Sequence, residues 1–147
     1  MIYWLTGQPG AGKTTLAKRL IEHISKKATL NPVHIDGDDL RNIFENKNYS
    51  EEGRRQNINR AQEIAKFMSY KGHDVVVSLV SPYRDQREDF KKENPVAEIY
   101  VSTSEERGRE SYHVKEYQPP TYDFIQIDTT HESEDSSVSE LLFKLGL

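Results

Sequence analysis

The sequence predicts an α/β domain of three layers, α/β/α, around a mainly parallel five-stranded sheet. Three observations predict it. Short apolar runs alternate with helical stretches along almost the whole chain, the pattern of strands joined by crossover helices. One run, Val75-Val76-Val77-Ser78-Leu79-Val80, is apolar enough for the middle of a parallel sheet covered on both faces. A glycine-rich turn joins the first strand to the first helix.

Each element has its own signal. Ile2-Tyr3-Trp4-Leu5-Thr6 reads as a short buried strand, and Leu16, Leu20 and Ile24 recur at helical spacing behind the turn. Pro32 breaks the chain before a second strand, Val33-His34-Ile35-Asp36. Asp38 to Glu45 reads as a helix with Leu40, Ile43 and Phe44 on one face. Ser50-Glu51-Glu52 starts the next helix, whose stripe of Ile58, Ala61, Ala65 and Met68 runs to about Tyr70 before Lys71-Gly72 ends it. Val75 to Val80 is the third strand, closed by Ser81-Pro82, and Arg84 to Lys92 is a polar helix. Val96 to Val101 and Phe124 to Ile127 are the last two strands; Thr129 to Ser137 reads as a loop and Val138 to Leu145 as a closing helix.

At 147 residues the chain is expected to form one domain, residues 1–147. Its 20 basic and 24 acidic residues leave a net charge of −4, which argues against a general nucleic-acid or membrane binder. Arginines still gather at Arg54/Arg55/Arg60, Arg84/Arg87 and Arg107/Arg109, a grouping that suits pockets for a compact anion. The chain has no cysteine, so disulfides, thiolate zinc sites and cysteine nucleophiles are excluded. The five histidines are too dispersed for a local ligand pair. With no signal-peptide pattern and no apolar run of membrane length, a cytoplasmic location is expected.

The chemistry starts at Gly7-Gln8-Pro9-Gly10-Ala11-Gly12-Lys13-Thr14-Thr15. Two glycines in register with a following Lys and Thr form a phosphate-binding loop, and strand, loop and helix come in the required order. Backbone N–H groups and the helix N-terminus surround a triphosphate; Lys13 reaches its β/γ-phosphates and the Thr14 hydroxyl ligates Mg²⁺. With the parallel sheet this is the P-loop nucleoside triphosphate hydrolase fold, and the cofactors expected are ATP and Mg²⁺.

Ligands of such sheets sit beyond the carboxyl ends of the strands. Asp36-Gly37-Asp38 directly follows the second strand. Alone it is a common turn. Beside a phosphate loop, its two carboxylates suit a shared Mg²⁺ or an acceptor hydroxyl. No Asp ends the Val75–Val80 strand, where many phosphate-loop enzymes hold their magnesium carboxylate, so Asp36 and Asp38 become the candidates. Arg41 lies one helical turn beyond Asp38 and shares its face. Ser81-Pro82-Tyr83-Arg84 ends the central strand, and its hydroxyl, ring and guanidinium suit a polar, anionic substrate.

Taken in order, the loop, Asp36-Gly37-Asp38-Asp39-Leu40-Arg41, Tyr49-Ser50 with Arg54, Asn57 and Arg60, and Val80-Ser81-Pro82-Tyr83-Arg84 resemble the adenylylsulfate kinases. The likeness covers the first hundred residues or so and resumes at Tyr117-Gln118-Pro119-Pro120 through Asp128-Thr129. It implies transfer of the ATP γ-phosphate to the 3′-hydroxyl of adenosine 5′-phosphosulfate, giving 3′-phosphoadenosine 5′-phosphosulfate for sulfate assimilation. It makes Asp36 and Asp38 the catalytic carboxylates near the acceptor hydroxyl and Mg²⁺. Arg41, Arg54 and Asn57 hold the phosphosulfate and ribose, Tyr49 stacks on the acceptor adenine, and Ser81 matches an active-site serine.

The chain departs from the family after its fourth strand. Only Ser102–Glu116 stands where the family carries a long lid, with neither its Lys-Gly-Leu-Tyr motif nor the Phe that completes the adenine clamp. Arg107 and Arg109 are the candidate lid arginines and Tyr112 the candidate second ring. Gly53 replaces an Asp, and the N-terminal extension that helps the family dimerise is missing, although a homodimer stays open as an assembly. Two other readings remain: a kinase for another hydroxyl acceptor (a nucleotide, a nucleic-acid 5′-hydroxyl or a small alcohol), and an ATP-binding regulatory module with little transfer.

Overall fold

The computed structural model describes residues 1–147. Its elements run β1 (Ile2–Thr6), α1 (Lys13–Ser25), β2 (Val33–Asp36), α2 (Gly37–Ile43), α3 (Glu51–Tyr70), β3 (Val75–Ser78), α4 (Arg84–Glu93), β4 (Val96–Ser102), β5 (Ile125–Asp128) and α5 (Glu134–Leu145). A single 3₁₀ turn, Glu110–Tyr112, interrupts the segment between β4 and β5. No helix is long and apolar enough to cross a membrane.

The five strands form one sheet in the order β2-β3-β1-β4-β5, and every neighbouring pair is parallel. Alternation along β1 divides the core. Ile2 and Trp4 face one layer with Ile35, Leu40, Ile58 and Ala61 from β2, α2 and α3. Tyr3 and Leu5 face the other with Leu16, Leu20, Val138 and Leu141 from α1 and α5. Central β1 is therefore covered on both faces, as its uninterrupted burial requires. The sheet grows from β1 in both directions, β3 on one side and β4 on the other. That reversal opens a crevice at the carboxyl end of β1, where the glycine loop begins.

Three details differ from the sequence reading, two of them boundaries, each for a local reason. The third strand stops at Ser78 instead of Val80, because Ser81 turns to a φ of 47°. The Thr129–Ser137 loop is shorter than expected: α5 starts at Glu134, where the Ser133 side chain accepts from the Ser136 N–H and caps the helix. In α2 only Leu40 is buried, while Ile43 and Phe44 lie exposed. The Arg60 guanidinium sits over the Phe44 ring at 4.4 Å, so a cation covers part of that apolar surface.

Candidate functional site

A cleft of about 960 Å³ opens at the carboxyl ends of the strands. Its walls bring together Pro9, Gly10, Gly12, Lys13, Thr14 and Thr15 with Asp36, Asp38, Arg41, Tyr49, Arg54, Asn57 and Ser81. Of the loop and acceptor-site candidates, Gly7, Gln8, Ala11 and Arg84 do not line it, nor do the grouped arginines Arg55, Arg60 and Arg87.

The loop is built as a phosphate cradle. Gly12 caps α1 with no side-chain hydrogen bond, which leaves the first N–H groups of the helix free for an anion. Gly7 has to be glycine: its φ is 154°, and a Cβ there would come within 2.2 Å of the Val101 carbonyl oxygen. Lys13 is 9% exposed, and its Nζ donates to the Gln8 carbonyl at 2.9 Å. Burial pulls its pKa down to about 8, a shift that the Asp36 charge opposes and Arg109 reinforces. A buried lysine beside another cation is a site short of negative charge.

Opposite the loop lies the carboxylate corner. Asp36 caps α2 by accepting from the Asp38 N–H at 3.2 Å, the ordinary behaviour of an Asp at a helix start. Its Oδ1 also accepts from Thr14 Oγ1 at 3.2 Å and Ser78 Oγ at 2.9 Å. Ser78 lies 2.8 Å from His34 Nε2, whose pKa is lowered chiefly by burial. The Asp38 carboxylate is exposed and has no partner, leaving it open to a ligand. Ser78 has no signal of its own in the sequence, because the apolar run continues two residues past the end of the strand. It stands level with Asp36 in the β2–β3 register, at the true strand end.

The third wall carries the cations. Arg41 donates to the carbonyls of Asn46 (3.2 Å) and Asn48 (3.1 Å) and lies over the Tyr49 ring at 4.1 Å. Arg54 projects from α3 and pairs with Glu116 at 2.7 Å. Asn57 is 4% exposed. It donates to the Gly37 carbonyl at 3.5 Å, and its buried Oδ1 has no hydrogen-bond partner. An orphaned buried acceptor on a cleft wall is where a ligand hydroxyl belongs.

Ser81 and Arg84 depart from their expected surroundings. The Ser81 hydroxyl is buried and accepts from Trp4 Nε1 at 3.0 Å, while its carbonyl accepts from Arg87. These contacts hold the residue in its left-handed conformation. Arg84 turns away and donates through Nε to the Pro119 carbonyl at 2.9 Å. Arg87, grouped with it as an anion-binding candidate, is buried and pairs with Glu98 at 2.8 Å, so its charge is spent inside the fold.

The shortened segment after β4 lies against the loop. Arg107 reaches the carbonyls of Gly10 and Ala11 at 3.3 Å and the Thr129 hydroxyl at 3.0 Å. The Gln8 side chain exchanges two hydrogen bonds with the Val114 backbone, at 2.8 and 2.9 Å. That occupies the Gln8 amide and fastens the segment down. Tyr117 is tied to Thr6 at 2.9 Å. Arg109 and Tyr112 line the cleft, and Arg109 carries no ion pair.

A magnesium ion fits the corner. Thr14 and Asp36 present hard oxygens side by side, and Mg²⁺ takes one or two protein ligands plus phosphate oxygens and water. No cluster of three or more ligating side chains could hold a metal without such help.

Comparison with known proteins places this cleft in a lineage. The family model described as adenylylsulphate kinase matches residues 1–119. An adenylyl-sulfate kinase of Prochlorococcus marinus is 32% identical, over 99% of this chain and 83% of its own length. One of Burkholderia ambifaria is 41% identical over 58% of this chain and 48% of its own length. In fold, the chain is similar to the Mycobacterium tuberculosis APS kinase CysC solved with AMPPNP and APS, at a TM-score of 0.84 and 21% identity over 99% of this chain and 97% of that one. The match takes in the loop, the carboxylate corner and the cation wall together: the chain belongs to the adenylylsulphate kinase family.

Proposed function

We propose that the chain transfers the γ-phosphate of ATP to the 3′-hydroxyl of adenosine 5′-phosphosulfate. The observation that carries the reading is the division of the cleft. A phosphate cradle with a buried lysine forms one wall, arginines and an orphaned amide oxygen form the other, and a free carboxylate stands with them.

In this reading the loop N–H groups and Lys13 hold the β- and γ-phosphates, and Arg109 adds charge on the lid side. Thr14 and Asp36 would hold Mg²⁺, which neutralises phosphate charge when bound. Asp36 is already engaged by Thr14, Ser78 and the Asp38 N–H, so the open carboxylate of Asp38 is the one to receive the acceptor proton. Arg41 and Arg54 take the phosphosulfate oxygens, Asn57 Oδ1 accepts from a ribose hydroxyl, and Tyr49 stacks on the base, with Tyr112 as the second ring. The 3′-oxygen attacks the γ-phosphorus in line, ADP leaves, and the proton passes to Asp38. Ser81 supports the cleft floor through Trp4 and Arg87; Arg84 has no part. The reading assigns the reaction to the cytoplasm and allows a homodimer.

Asp38→Asn tests the assignment. Turnover falls by about 10²- to 10⁴-fold, the usual worth of a positioned base, while ATP affinity stays within about twofold. Wild-type turnover in that variant contradicts the role.

A further inference from the structure

We infer that Glu116 is a built-in competitor for the acceptor anion, and thereby a specificity determinant. The inference rests on the reading of Arg54 as an acceptor-binding residue. Arg54 Nη1 is taken by Glu116 at 2.7 Å, and the pair joins α3 to the end of the shortened lid segment. Arg54 lines the cleft, whereas Glu116 does not. A guanidinium binds a sulfate or phosphate best through two parallel N–H donors. With Nη1 held by a carboxylate, an oxyanion entering the cleft takes the end-on Nη1/Nη2 pair only by displacing Glu116.

Neighbouring charge favours that exchange. Arg41 feels the Arg54 charge, and neither has another carboxylate within ion-pair distance. A dianionic or phosphosulfate group placed between them replaces one negative charge with more. An uncharged alcohol neither uses Arg54 nor displaces its partner, so the competition acts among anions: a group of higher charge displaces Glu116 and one of lower charge does not. Tyr117 is fixed to Thr6, so release of Glu116 moves a single residue beside an anchored one and leaves the segment in place.

Glu116→Gln keeps the shape and removes the charge. Binding of inorganic sulfate, measured by calorimetry and by the Arg54 guanidinium NMR signals, is expected to tighten about threefold to fivefold, the scale of a partly exposed ion pair. The gain disappears in an Arg54→Gln background. In turnover the variant lowers the KM for adenosine 5′-phosphosulfate by a similar factor and leaves the KM for ATP unchanged. Unchanged or weaker sulfate binding in Glu116→Gln overturns the inference and shows that the carboxylate orients Arg54. If wild type fails to phosphorylate adenosine 5′-phosphosulfate, the functional reading falls, and the sulfate measurement still decides the role of Glu116.

Discussion

Gly53→Ala sets helix propensity against packing, and the structure says which wins. Gly53 sits in the first turn of α3, where alanine favours the helix by about 1 kcal/mol. Its added Cβ, however, would lie 2.2 Å from the Asn48 carbonyl oxygen and within 2.6 Å of two Asn48 side-chain carbons. Restoring an ordinary 3.4 Å contact needs a retreat of about 1.2 Å by the whole residue. Overpacking of this kind costs about 1–3 kcal/mol. The retreat also strains bonds that close the turn, Arg41 to the Asn48 carbonyl at 3.1 Å and Asn46 to the Gly53 carbonyl at 3.0 Å. With one of these bonds lost, at about 1 kcal/mol, the net destabilisation is about 2 kcal/mol. For a chain of this length that lowers Tm by roughly 6 °C. Arg41 and Tyr49 move with the turn, so the acceptor KM rises while the KM for ATP holds. Thermal unfolding and two-substrate kinetics read both effects. A Tm equal to or above wild type would show that propensity prevails and that the turn does not rest on Gly53.

Arg87→Met leaves Glu98 buried beside Lys91 alone and frees the Ser81 and Gln118 carbonyls. Breaking such a pair costs about 3–5 kcal/mol, a Tm loss of about 10–16 °C; a loss below about 1 kcal/mol in urea unfolding refutes the anchoring role. Lys13 gives a pH dependence. Its free-state pKa of about 8 lies below the ordinary lysine value, and a bound triphosphate restores the proton, so ATP affinity is full below pH 8 and falls as pH rises above it. Between pH 7 and pH 9 affinity drops about tenfold, with about 0.75 proton taken up per ATP at pH 8.5. Calorimetry in two buffers that returns flat affinity and no proton uptake contradicts the lowered value.

The fold was legible because its signals were local and redundant. The apolar run of β1, the stripe on α3 and the Ser50 and Gly72 boundaries each follow from residues within a turn or two. The loop and the Asp36–Asp38 corner were legible for the same reason: chemistry and geometry sit in one short segment. What the sequence hid depended on distant partners. Ser78 is screened by an apolar run that continues past the strand, and Arg87 reads as part of an anion-binding group until Glu98, eleven residues on, takes its charge. Arg84 and Ser81 carry the residue types of a binding site, but Pro119 and Trp4, far away in sequence, claim them. Gly53 in place of an Asp has no explanation in the sequence, whereas the structure gives it a reason in the approach of Asn48.

The central claim is that this cleft, with its shortened lid, transfers phosphate from ATP to a sulfated nucleotide. The direct measurement follows label from γ-labelled ATP with and without adenosine 5′-phosphosulfate, in the presence of Mg²⁺. The account predicts that ADP release depends on the acceptor and that the label appears on its 3′-oxygen, one for each ADP formed. Release of labelled inorganic phosphate at the same rate without the acceptor, or an acceptor that stays unlabelled, would contradict it.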